Sequence, residues 1–183
     1  MATPKVIALC GLAGSGKSTV AEHLIAHHGY IRIKFADTLK SMLRLLGLDD
    51  RHIEGDLKEL PCPMLGGATP RHAMITLGTE WGRDMIWRDL WVSNWRTRVM
   101  AALEAGARVV VDDMRFPNEA DSATSVGALR IRIERPGLAV GQHASEAHAA
   151  RLPVDRVILN DSDIETLLSR VSLVLYGPYG EPE

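Results

Sequence analysis

Residues Gly11-Leu-Ala-Gly-Ser-Gly-Lys-Ser18 constrain this chain more than any other stretch of it. They follow Lys5-Val-Ile-Ala-Leu-Cys10, an apolar run that reads as a buried strand, and lead into Ser18-Thr-Val-Ala-Glu-His-Leu-Ile-Ala26, which reads as a helix. The pattern G-x-x-x-x-G-K-[ST] between a strand and a helix is the context in which such a loop cradles phosphates. Gly11, Gly14 and Gly16 permit backbone conformations and close approaches that a side chain would block. Amides turned into the loop and the positive end of the following helix would then hold polyphosphate oxygens. Lys17 would meet the β- and γ-phosphates, and Ser18 would offer its hydroxyl to a magnesium ion. The bland alternative, a glycine-rich turn with an incidental lysine, has all four fixed positions and the flanking elements against it. The chain is therefore expected to bind a nucleoside triphosphate.

Beyond the loop, strand and helix signals alternate. Ile31–Phe35 alternates apolar and polar residues as a strand does, and residues 37–48 carry leucines at helical spacing up to Gly47. Residues 49–70 hold Pro61, Pro63, Gly66, Gly67 and Pro70 and read as a long irregular insert. Helices are expected near 71–77 and 91–105, and Trp87, Trp91 and Trp95 would form one stripe if the second began early enough. Val109–Val111 reads as a buried strand ending in Asp112-Asp113, with a helix starting near Pro117. Leu129–Ile133 and Arg156–Leu159 complete the strands before a last helix at 163–175. Five strands separated by helical segments imply an α/β fold: a five-stranded parallel sheet with helices on both faces, in three layers.

The chain's 183 residues suggest one domain over 1–183, and 46% hydrophobic with 24% charged residues is ordinary for a globular protein. A net charge of −2 gives no large nucleic-acid footprint. No apolar stretch is long enough to span a bilayer, the first strand begins too early for a signal peptide, and two cysteines make no disulfide framework. A cytoplasmic location is expected. Cys10 reads as a small buried hydrophobe.

Read in order, GLAGSGKSTVAEHL, FADTLK (35–40), LGTEWGRDMI (77–86), LWV (90–92), VVDDMRFPNEA (110–120), HASE (143–146) and ND (160–161) resemble the deoxynucleoside monophosphate kinases of tailed bacteriophages. These belong to the P-loop nucleotide kinases. The phosphate loop alone indicates the superfamily; RFPNE and GTE-x-G-R are narrower signals. The resemblance implies a P-loop NTPase fold with an acceptor-binding insert at about 36–95 and a lid at about 134–150. It implies magnesium and ATP as cofactor and donor, nucleotides as partners, and neither nucleic acid nor membrane. It is compatible with a homodimer, though no sequence feature fixes an interface. The implied reaction phosphorylates deoxynucleoside 5′-monophosphates (dNMPs) to diphosphates for phage DNA synthesis. A kinase of another small acceptor, such as dephospho-coenzyme A, would carry a different acceptor region. A nucleotide-dependent switch of the GTPase kind would need N-K-x-D, where Asn160-Asp-Ser-Asp163 lacks the lysine.

Phosphoryl transfer needs positioning and charge neutralisation from several segments. The expected catalytic residues are Lys17, Asp113, Arg115 and Arg135, with Ser18 and Asp113 at the metal. Asp112 is the rival carboxylate to Asp113, and a plain ion pair of Asp113 with Arg115 is the simpler alternative. Gly11, Ala13, Gly14, Ser15, Gly16, Lys17, Ser18 and Thr19 would bind ATP, with Asn160 near the adenine unless Asp161 or Ser162 merely caps a helix. The acceptor dNMP would meet Asp37, Lys40, Thr79, Glu80, Arg83, Trp91 and Arg115. Asp37 could equally be an N-cap, Lys40 a solvated lysine, Glu80 and Arg83 a structural salt bridge, and Trp91 core rather than a platform for the base. Asn118 and Glu119 could simply cap their helix. Arg135 could be a lid arginine that arrives on closure or simply a surface loop arginine, and the role of His143, Ser145 and Glu146 does not follow from residue chemistry.

Overall fold

Strand β1 (Val6–Cys10) is buried along its whole length, as its unbroken apolar run requires of a strand covered on both faces. The protein is seen here as a computed structural model, which describes residues 3–139, 149 and 151–177. The chain divides into two compact units: residues 1–34 with 96–183, and Phe35–Trp95.

The first unit is built on a five-stranded sheet. Strands β2 (Tyr30–Arg32), β3 (Arg108–Val111), β4 (Leu129–Glu134) and β5 (Arg156–Leu159) join β1 in the order β2-β3-β1-β4-β5, every pairing parallel. The alternation of strand and helix signals predicts this α/β arrangement. β2 ends at Arg32, short of the Phe35 that the pattern Ile31–Phe35 suggests, and the Ile33 amide continues the ladder by donating to the Val110 carbonyl at 3.0 Å. Helix α1 (Lys17–His28) packs against β2 and β3, α6 (Pro117–Ser125) against β4, and α7 (Ile164–Tyr176) against β5 and α1. Helices thus cover both faces of the sheet. The core joins Ile7 and Leu9 of β1 to Val20 and Leu24 of α1, Ile131 and Ile133 of β4, and Leu167 and Val171 of α7.

β4 shows why alternation is informative. Ile131 and Ile133 turn into the core, while the intervening arginines pair: Arg130 grips Asp155 at 2.8 Å and Arg132 meets Glu134 at 2.7 Å. The expected cap of the last helix is shifted: Asp163, not Asp161 or Ser162, accepts the Thr166 amide at 2.8 Å, while Asp161 pairs with Arg170.

The second unit is helical. α2 (Asp37–Leu45) buries Leu39 and Leu43, which join Leu48, Ile53, Met74 and Trp91 in a separate core. The 49–70 segment is more ordered than its prolines and glycines suggest. Asp49 caps the short helix α3 (Asp50–Ile53) through the His52 amide, and Pro63–Leu65 forms a 3-10 turn closed by Cys62 to Ala68 and Gly67 to Cys62 backbone bonds. Thr69 caps α4 (Pro70–Thr76), whose first residue is the proline favoured there. α4 runs straight into a π-helix, Leu77–Ile86, which the spacing of apolar residues does not foretell. α5 (Leu90–Glu104) begins in this unit; because it starts at Leu90, Trp87 lies outside it and is exposed, so the three-tryptophan stripe is broken. Trp95 stacks on Phe35, ring centroids 4.4 Å apart.

Candidate functional site

The loop between β1 and α1 has the conformation its glycines permit. Gly11 has φ +133°, and a Cβ on it would stand 2.3 Å from the Ile133 carbonyl oxygen of the neighbouring strand. Only glycine lets the chain turn there against β4. Gly16 enters α1 in a left-handed conformation, and the helix starts at Lys17, so its first-turn amides open toward the loop. Lys17 Nζ donates to the Gly11 and Leu12 carbonyls at 2.8 and 2.6 Å.

Gly14, Gly16, Lys17, Ser18 and Thr19 line one cavity of about 370 Å³ together with Arg135, Asn160, Ser162, Asp163, Ile164 and Leu167. Seven of the residues expected at the nucleotide therefore face one space, although they come from three separate segments. Gly11, Ser15 and Arg135 border an adjoining cavity of about 270 Å³, and Ala13 is exposed at the loop tip. Arg135 also approaches the Gly14 carbonyl at 3.5 Å. Asn160 is held by the loop itself: its Nδ2 donates to the Ser15 carbonyl at 2.9 Å. That amide braces the loop against the end of β5, a role spacing alone could not reveal.

Asp113 and Arg115 leave the C-terminal end of β3, which lies beside β1 with Val111 opposite Ala8. Both are half-buried, at the sheet edge where α/β folds bind ligands. Glu119 is buried and accepts the amides of Arg115 and Phe116 at 2.7 and 3.1 Å, so it brackets the turn that carries Arg115. For Glu119 the helix-cap alternative is the one observed. Asp112, the rival carboxylate, is a buried charge between Arg32 and Lys34, each 3.6 Å away. Its oxygens have no hydrogen-bond partner among the described residues. Neither cation stands out by motif, yet the alternation of Arg32 and Lys34 in Ile31–Phe35 already places both on one face.

In the second unit, Asp37 opens α2 without capping it, since the cap position is Ala36. Lys40 is not solvated; its ammonium pairs with Glu54 and is largely shielded. Thr79, Glu80 and Arg83 lie on the π-helix. Trp91 is 4% exposed, and its indole N–H donates to the Gly78 carbonyl at 2.8 Å. The core alternative for Trp91 is therefore the observed one; a stacked base would need an open ring face. His143, Ser145 and Glu146, and most of the lid expected at about 134–150, lie outside the described residues.

Among the described residues no three His, Cys, Asp or Glu side chains gather as a metal site, and no helix is long and apolar enough to cross a membrane. Ser18 lines the cavity over the phosphate loop and Asp113 stands half-buried just past the end of β3; a hydroxyl and a carboxylate are oxygen donors of the kind magnesium takes.

The family model for deoxynucleotide monophosphate kinase matches residues 67–171. A protein of Acanthamoeba polyphaga mimivirus assigned as a deoxynucleotide monophosphate kinase is 34% identical over 91% of this chain and 93% of its own. The deoxynucleotide monophosphate kinase of Enterobacteria phage T4 is 32% identical over 57% of this chain and 44% of its own. Among solved structures, TT1252 from Thermus thermophilus superposes with a TM-score of 0.52 at 20% identity, covering 98% of this chain and all of that one. A sugar kinase from Janibacter gives 0.53 at 16% identity, covering 97% and 98%. Those two likenesses are of fold. With the family model covering more than half its length and a relative above 30% identity along nearly all of it, the chain belongs to the deoxynucleotide monophosphate kinase family.

Proposed function

We propose that the protein transfers the γ-phosphoryl group of ATP, with magnesium, to a deoxynucleoside 5′-monophosphate, yielding ADP and the deoxynucleoside diphosphate, a precursor for viral DNA synthesis. The observation that carries the reading is the cavity over the phosphate loop, where Lys17, Ser18, Thr19, Arg135 and Asn160 converge from separate segments. An acceptor-phosphate oxygen attacks the γ-phosphorus, and the bridging oxygen leaves with ADP; no side-chain nucleophile takes part. Lys17 would exchange its two loop carbonyls for β- and γ-phosphate oxygens. Arg115, on a turn fixed by Glu119, and Arg135 would neutralise charge on the transferred group, their guanidinium forks suiting phosphate oxygens. Ser18 and Asp113 would hold a magnesium ion, which would supply charge neutralisation to the phosphates when bound.

Asp37, Lys40, Thr79, Glu80 and Arg83 are assigned to the acceptor, with Arg83 on its phosphate. Trp91 takes no part in base stacking in this reading, because its indole is buried and its N–H is already used. The test is ATP consumption with magnesium against the four common dNMPs, their ribose forms and modified pyrimidine monophosphates, with Lys17→Ala as control. Turnover of at least one dNMP, lost in Lys17→Ala, is the expected result. ATP binding without turnover on any of them would leave another small acceptor or a switch as the better account.

A further inference from the structure

Leu77–Ile86 winds as a π-helix for ten residues. π winding normally occurs as a single-turn bulge inside an α-helix and concentrates at functional sites, so a run of this length needs something to hold it. The buried indole of Trp91 meets this run at two points. Its N–H donates to the Gly78 carbonyl at 2.8 Å. Four residues further on, the indole lies against bare backbone: a Cβ on Gly82 would meet its Nε1, Cζ2 and Cε2 at 2.5, 2.6 and 2.7 Å. The ring occupies the space that any other residue at 82 would fill, and both points of its grip are glycines.

Those two points are the ones at which α and π winding differ. In an α-helix the Gly78 carbonyl would receive the amide four residues on, that of Gly82. In π winding it receives the amide five residues on, that of Arg83. The indole holds the carbonyl at one point and the backbone of its displaced α partner at the other. A return to α winding would rotate every side chain after Gly78 about the helix axis, Arg83 included.

We infer that Gly82 and Trp91 are positioning residues for the acceptor: the indole seated on Gly82 keeps Leu77–Ile86 in π register and so aims Arg83. The inference rests on the proposed role of Arg83 at the acceptor phosphate. The deciding experiment is steady-state kinetics on the full chain for Gly82→Ala, Trp91→Phe, Arg83→Ala and the two doubles with Arg83→Ala, each with a thermal melt. Trp91→Phe keeps an aromatic ring but removes the N–H. Each single change at 82 or 91 should raise the dNMP KM by about tenfold and leave the ATP KM within about twofold. Added to Arg83→Ala, each should raise the dNMP KM by less than about twofold more, because both act through that arginine. Multiplicative effects in the doubles, unchanged dNMP KM in folded single variants, or an equal rise in both KM values would overturn the inference. If Gly82→Ala does not fold, Trp91→Phe and its double decide by the same criteria. An unchanged dNMP KM in Arg83→Ala would overturn the acceptor role of Arg83 and this inference together. A raised KM there beside neutral Gly82→Ala and Trp91→Phe would overturn the positioning role alone.

Discussion

At the scale of single residues, Gly11 and Cys10 show how tightly the end of β1 is held. The 2.3 Å approach that a Cβ on Gly11 would make is to backbone, which cannot step aside as a flexible side chain would. Gly11→Ala should therefore cost about 2 kcal/mol or more of stability and raise the ATP KM at least about tenfold, read by denaturant melts and steady-state kinetics. Burial pushes the Cys10 thiol up to about 11 from an ordinary value of 9.0. Folding thus opposes its ionisation. Below about pH 9 the thiol is neutral folded or unfolded and stability does not depend on it. Above that, the unfolded chain ionises first and stability should fall as pH rises toward 11. A Cys10→Ala variant should show a shallower alkaline loss in melts between those values, and Cys10 in the native chain should resist thiol reagents at pH 8. The loop residues were legible because their chemistry is tied to a contiguous motif. Asn160 was legible only as a residue near the nucleotide, because its bond to the Ser15 carbonyl joins positions that only folding brings together. Asp112 and Asp113 are adjacent in sequence, and only burial separates a carboxylate locked between two cations from one that is half-exposed.

Elements divide along the same line. β1, β3 and β5 declare themselves by apolar runs and β4 by strict alternation, since burial on one or both faces is written into side-chain period. The π-helix does not: no apolar period within Leu77–Ile86 marks it, and the indole that contacts it comes from α5, outside the segment. The tryptophan stripe fails for a related reason: four-residue spacing has meaning only within one helix, and α5 begins after Trp87. The junction of β4 and β5 also has a measurable prop. Asp155 accepts the Arg130 backbone amide at 2.9 Å and the Arg130 guanidinium at 2.8 Å, and that guanidinium holds its carboxyl below the usual carboxylate range. A depressed carboxylate stabilises the fold above its unfolded pKa and loses that contribution as pH falls through the folded one. Asp155→Asn should cost about 0.5–1 kcal/mol at pH 7, solvent screening of the partly exposed pair included, and the difference should vanish in acid melts.

Across the whole molecule, two cores are assembled from one chain, a sheet unit carrying the phosphate loop and a helical unit spanning Phe35–Trp95. The fold class was readable because five strand signals separated by helices leave few topologies. The family was readable because the narrow motifs recur in order over most of the length. The acceptor's base was not readable: a preference of that kind lives in pocket shape, to which no short motif corresponds. Transfer of the γ-phosphoryl group to a dNMP rather than to water shows in the products. Product analysis tests it most directly: ATP, magnesium and a single dNMP that is turned over are mixed with the protein, and ADP, dNDP and inorganic phosphate are followed together by anion-exchange chromatography. dNDP and ADP should appear in equal amounts with negligible inorganic phosphate. ADP and inorganic phosphate rising together without dNDP would contradict it.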